Sequence, residues 1–394
     1  MTARIRRLSR LKLSLLVIPL TVALAVFAAC SGDSAPDVSA SDVVEHYADG
    51  VHHTYVLSLN SAMVMREAIH AFLDNPAPAT LEGAKRAWLT ARDDYGPTEA
   101  YRFYDGPIDN EEDGPEAQLN AWPLDESYVD YVEGNPDSGI INMVDEYPEI
   151  SAELLIELNE AGGEANVSTG WHAIEFLLWG QDLNPDGPGD RPIEDYTTNA
   201  NADRRATYLM VVTDLLIDDL QDMVNAWARG SANSYRAEFL NLDTDDALAK
   251  IITGIGELSR GELAGERMIV AYEARSQEDE HSCFSDNTVN DIIANARGIQ
   301  NVWLGDFGAL IGPGIVDLVR QEDTELADQL SMEIAASVAY ATAIPFPFDA
   351  HLIAGLPNSD AGRRAVLTTI ESLEDQTDTI VAAAGALGIS INVT

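Results

Sequence analysis

The stretch "SDVVEHYADGVHHTYVLSLNSAMVMREAIHAFLDN", residues 41–75, sets the fold class. Its apolar residues Val44, Tyr47, Val51, Tyr55, Leu59, Ala62 and Ile69 recur on one side of a 3.6-residue turn, so the spacing predicts a single long helix with Ser41 as its N-cap. Similar patterns cover roughly 80–95, 151–161, 169–180, 203–229, 245–275, 288–304, 321–342 and 361–385, and no segment alternates as a strand would. Helices of this length on short links imply antiparallel bundles, and there are enough of them for two. The expectation is an all-α chain of two packed helical-bundle halves, 41–230 and 231–394, joined near "RGSANSY" at 229–235.

The N-terminal 29 residues differ from the rest. Arg4, Arg6, Arg7, Arg10 and Lys12 precede an apolar run from Leu13 to Ala29 that contains no acid, the pattern of a secretory signal. The run ends in "VFAAC", which resembles a bacterial lipobox and would make Cys30 the lipidated first residue of the mature chain. An ordinary cut near Ala29 is the alternative. Residues 30–40, small and polar, read as a flexible tether. With Cys30 lipidated, Cys283 is alone and no intrachain disulfide can form, so the fold rests on its core.

Charge narrows the function classes. The chain carries 66 acids against 23 Lys and Arg, and loss of five signal-peptide cations from a net −43 leaves −48. Such a field repels nucleic acid and anionic lipid and concentrates cations. An acidic surface is also how a protein stays soluble in salt, so the charge alone assigns no metal site.

The chemistry concentrates in "TGWHAIEFLLWG", 169–180. With Ser168 or Thr169 as the cap, His172 lies in the first turn and Glu175 projects from the same face one turn on. The helix dipole and burial both favour neutral His172, with a ring nitrogen free to coordinate. Trp171, Ile174, Phe176, Leu177, Leu178 and Trp179 surround the pair, so Glu175 must be protonated, paired with an arginine or bound to a cation. A hydrogen-bonded His–Glu pair in the core satisfies the same spacing.

Gly170, His172 and Glu175 match the G-x-H-x-x-E motif of the imelysin family. The blocks at 87–109, 180–192, 261–288 and 295–305 also resemble that family, in particular its iron-regulated, lipoprotein-anchored branch. The resemblance implies two bundle-like halves with a metal site near their junction. Members are classed as metallopeptidases or as metal-binding, iron-acquisition components. It also places Glu99 near the motif as a third ligand, with Arg102 orienting a carboxylate. In the second half, His281 and Asp286 of "EDEHSCFSDNT" would line the cleft, or form a turn network with Ser285 and Asn287. Val289 departs from the branch, which leads one to expect histidine there.

One histidine and two carboxylates suit iron, manganese or zinc rather than copper(I). Two other patterns fail. "DLNPDG", 182–187, begins like an EF-hand loop, but its twelfth position is Ile193 instead of glutamate. The zincin pattern H-E-x-x-H is absent, and a base recruited from Glu99 would cost the site a ligand. The reading is therefore an exported, lipid-anchored protein that binds a transition metal, iron above zinc or manganese, at His172, Glu175 and Glu99 for acquisition with iron-uptake partner proteins. A metallopeptidase on the same residues and a peptide-binding module with an empty polar cleft are the rivals.

Overall fold

The computed structural model describes residues 37–184 and 187–393. The expected signal peptide, Cys30 and most of the tether lie outside them. The long helices are α1 (Ala40–Asp74), α2 (Pro78–Tyr95), α3 (Gly170–Trp179), α4 (Ala202–Trp227), α5 (Thr244–Glu257), α6 (Thr288–Leu304), α7 (Thr324–Thr342) and α8 (Ala361–Ala386). No strand forms among the described residues, only two isolated bridges. The fold is all-α, and Val38–Thr394 forms one compact unit.

α1 begins earlier than its sequence suggests. Ser39, not Ser41, is the cap, because Ser39 and Asp42 form a reciprocal capping box with 3.2 Å bonds in both directions. The expected tether therefore ends where the helix begins at Ala40. The pattern over 321–342 likewise breaks at Asp323, whose side chain caps α7 through Leu326 N, separating it from the helix Ile315–Glu322.

The anticipated residues of α1 are buried, and they pack against α2 and α4. α6 packs on α7 and on a 3₁₀ segment, Gly96–Tyr101, that continues α2. That last contact positions the site. A Cβ on Gly298 would fall 2.6 Å from Pro97 O, so only glycine lets α6 approach this closely, and Asn295 then donates to Gly96 O at 3.0 Å. Between α5 and the short helix Ala271–Ala274 the chain winds as a π-helix, Leu258–Val270, carrying Glu262 and Arg267. π-helical turns are rare and are often found at functional sites.

Candidate functional site

Every residue of α3 is buried. It starts at Gly170 with φ +82°, where a Cβ would lie 2.4 Å from Leu119 O, which explains the glycine of the motif. Thr169 occupies the N-cap position but makes no cap bond. Its hydroxyl instead donates to Gln118 O, 2.9 Å, and is 3.1 Å from Asn159 Oδ1.

His172 Nδ1 lies 2.9 Å from Glu175 Oε2. The other carboxylate oxygen, Oε1, accepts from Ser285 N at 2.9 Å and Ser285 Oγ at 2.7 Å, across 110 residues of sequence. Burial pushes Glu175 up to about 8. Burial, and next the Arg92 guanidinium, push His172 down to about 3. At neutral pH the pair is thus a protonated carboxyl against a neutral imidazole, and the Glu175 hydroxyl donates to Nδ1. Of the three states open to Glu175 from sequence, pairing with an arginine is not the one taken, since its partners are His172 and Ser285.

A second buried histidine faces the first. The ring centroids of His172 and His281 are 4.8 Å apart at 75°, and Trp122 packs edge-on against His281 at 5.1 Å. His281 Nδ1 is 2.8 Å from Asp291 Oδ2. Against the cost of its burial, Arg92 and the bonds from His281 and Ser282 hold Asp291 well below the usual carboxylate range. Burial and Arg267 push His281 down to about 3. Neutral His281 therefore donates from Nδ1 to ionised Asp291 and keeps a lone pair on Nε2. Neither Nε2, of His172 or of His281, has a hydrogen-bond partner, although both are buried.

Glu99 does not join this pair. Its Oε2 accepts from Arg102 at 2.7 Å and Arg267 at 2.6 Å, and Asn120 Nδ2 approaches Oε1 at 3.4 Å. Burial opposes ionisation, but the two arginines hold Glu99 well below the usual range. As placed, it serves as the anion of an arginine cluster. Arg102 pairs with Glu99 and also reaches Glu116 at 3.0 Å. Asp286 is half-buried with φ +58°, pushed up to about 7 by burial and by Asp349, Asp182 and Glu175. Val289 is core. Among the described residues no group of three or more His, Cys, Asp and Glu side chains is arranged to hold a metal ion.

The imelysin family profile matches residues 51–380. The chain belongs to the imelysin family. It is 25% identical to iron-regulated protein A of Synechococcus elongatus, over 90% of this chain and 88% of that one. Its fold is that of a putative iron-regulated protein A precursor from Parabacteroides distasonis, with TM-score 0.70 and 19% identity over 90% of this chain and 97% of that one. An imelysin-like protein from Psychrobacter arcticum gives 0.63 and 15%, over 90% and 98%. No helix among the described residues of this imelysin-family chain is long and apolar enough to cross a membrane.

Sequence reasoning missed Asp291, Ser282, Arg92 and Arg267. Only Asp291 left a trace: it is an acid one turn before Asn295 on a helix whose remaining buried residues are mostly apolar. Ser285, anticipated as part of a turn, instead binds the motif glutamate.

Proposed function

We propose that this chain binds a transition-metal ion through His172 and His281 and serves metal acquisition, with iron as the cargo. One observation carries the proposal. Two buried imidazoles lie side by side, each anchored at Nδ1 by a carboxyl group and each with Nε2 unpartnered. Metal-ligating histidines characteristically hold their other nitrogen on a carboxylate, which fixes the tautomer and raises ligand basicity. The donors fit an imidazole-accepting ion such as iron(II), zinc or manganese, and solvent or a chelator would complete the shell.

The two histidines differ in readiness. His281 already has the ligand tautomer. His172 has Nε2 protonated while Glu175 donates to Nδ1, so His172 becomes a ligand when Glu175 gives up its proton and Nδ1–H donates back to the carboxylate. Binding then releases one proton near neutral pH and leaves a negative charge beside the ion. Hydrolysis is less well served: Glu175, Glu99 and Asp291 are each held by protein donors, leaving no free carboxylate among them to act as a general base. The iron-regulated relatives support iron as cargo, and the lipobox-like Cys30 supports an exported, membrane-anchored setting.

Titration calorimetry with zinc, and with iron(II) under anaerobic conditions, tests the reading in buffers of different ionisation enthalpy. One ion should bind with release of about one proton, and His281→Ala should weaken binding at least tenfold, the scale of a lost anchor or ligand. A parent that binds no ion, or a His281→Ala protein of unchanged affinity, overturns it.

A further inference from the structure

Arg92, on α2, is 1% exposed and reaches both histidine supports. Its guanidinium centre lies 5.9 Å from the Trp88 ring, 5.3 Å from Tyr95 and 5.5 Å from Trp171, the neighbour of His172 on α3. One end donates to Asn120 Oδ1 at 2.7 Å. The other end, Nη2, lies 3.4 Å from Asp291 Oδ2. That same oxygen accepts from His281 Nδ1 at 2.8 Å and from the Ser282 hydroxyl, while Asn287 Nδ2 donates to Oδ1 at 3.1 Å. The carboxylate that anchors His281 is therefore already matched by a buried positive charge, and both its oxygens are occupied.

Arginine keeps its proton at any ordinary pH, so Arg92 is a fixed positive charge beside a pair of metal-type donors. The other charges near the imidazoles are paired among themselves. Glu99 binds Arg267 at 2.6 Å and Arg102 at 2.7 Å, and Glu262 and Glu116 take further bonds from the same two arginines. Arg92 and Asp291 cancel in the same way. What remains for an incoming ion is two neutral imidazoles and, once its proton has left, the single carboxylate of Glu175. A divalent ion is half neutralised by that set. A trivalent ion keeps most of its charge, in an interior where uncompensated charge is costly.

We propose that Arg92 is the specificity-determining residue of the histidine site: by claiming Asp291 it limits the negative charge offered to an ion, so divalent ions are taken and trivalent ions refused. The inference rests on the reading of His172 and His281 as ligands, and it narrows their cargo to iron(II). The planar fork has its own part. It spans Asn120 and Asp291 at its two ends and lays its face among three rings, which fixes where the charge sits, whereas lysine would bring the charge without the fork.

The test is calorimetry of the chelator-treated full chain with zinc chloride and with gallium(III) citrate, a redox-inert trivalent probe, corrected for competition by citrate. The parent should prefer zinc. Arg92→Gln, which keeps an amide but no charge, should raise the gallium-to-zinc affinity ratio by about tenfold or more, the scale of one unit charge acting at short range inside a protein. Damaged packing alone would weaken both ions and leave the ratio where it was. Arg92→Lys should weaken both ions through loss of the fork and yet hold the parent's ratio. If Arg92→Gln does not fold, Arg92→Met, an apolar side chain among the three rings, should give the same rise. A parent that binds neither ion defeats the histidine reading itself. Where the parent binds zinc, an unchanged ratio in the uncharged variants, or a ratio in Arg92→Lys that rises as far as theirs, overturns selection by the Arg92 charge and leaves the histidine site standing.

Discussion

Two buried polar clusters in this molecule are built from similar residues and differ in how they end. In the first, Asp130 accepts from Arg205 Nε at 2.6 Å and Nη2 at 2.8 Å, from Arg191 at 2.8 Å and from Asn142 at 3.2 Å. Asp195 accepts from Arg191, Tyr131 and Asn199. Every oxygen of both carboxylates is used. In the second, around His172 and His281, the carboxyl groups are equally well held, yet the chain of bonds stops at two bare imidazole nitrogens. In the first cluster every carboxylate oxygen is met by protein, and one cationic donor, Arg191 Nε, is left over. The second becomes complete only with something added, and that difference, more than burial or polarity, separates a structural network from a site.

The comparison can be broken hardest at Asp130. Asp130→Ala strands Arg191 and Arg205 in the interior, with Asp195 as the remaining anion, and should cost about 3–5 kcal/mol in urea unfolding. Zinc affinity per folded molecule should stay within threefold of the parent. A tenfold loss of affinity would mean the two clusters are coupled.

Glu99→Gln probes which cluster type Glu99 belongs to. As an arginine-bound anion it should cost about 2 kcal/mol, because Glu262 and Glu116 still compensate Arg267 and Arg102. Metal affinity should be unchanged. Lost affinity at full stability would restore Glu99 as a ligand.

The smallest loss of folding stability is expected at Glu175→Gln. Glutamine reproduces the protonated acid: its oxygen accepts from Ser285 and its amide donates to His172 Nδ1. Below about pH 4.5, where the acid is protonated in both states, stability should move by no more than about 1 kcal/mol, while metal affinity falls at least tenfold, because His172 is locked in the wrong tautomer. The pH profile sharpens this. Glu175 titrates near 8 in the folded chain against an ordinary value of 4.5. Between those values the unfolded chain has released a proton that the native state retains, so this group lowers stability as pH rises from about 4.5 to about 8, with no further loss above. Glutamine has no such term, and the variant should gain on the parent through that window. Parallel unfolding profiles for the two proteins would show that Glu175 is not held protonated.

What the sequence disclosed, and what it withheld, follows from the range of each interaction. The His172–Glu175 contact is local, set by helical spacing, and it was legible. So were the long helices, because Val44, Tyr47 and Val51 mark a buried face without reference to the rest of the chain. Cap positions were misplaced by a few residues, since Ser39 and Ser41 are equally good caps until the partner Asp42 decides between them. The arginine partner of Glu99 was not legible because Arg267 is 168 residues away on a π-helix, whose widened turn leaves no signature in an amphipathic pattern. Asp291 was passed over because it meets His281 only after the loop between them folds back.

The same loop has a kinetic consequence. Ser285 holds Glu175, and His281 stands four residues earlier on the same segment, with both imidazole edges sealed from solvent. An ion cannot enter a closed structure of this kind by exchanging ligands at its surface. On the reading proposed above, loading and unloading wait on one opening fluctuation of the segment 281–285. That movement would withdraw an imidazole, release the donors to Glu175 and admit water together. The dwell time of the ion would then be set by how often the loop breathes, and not by the strength of any single bond to the metal.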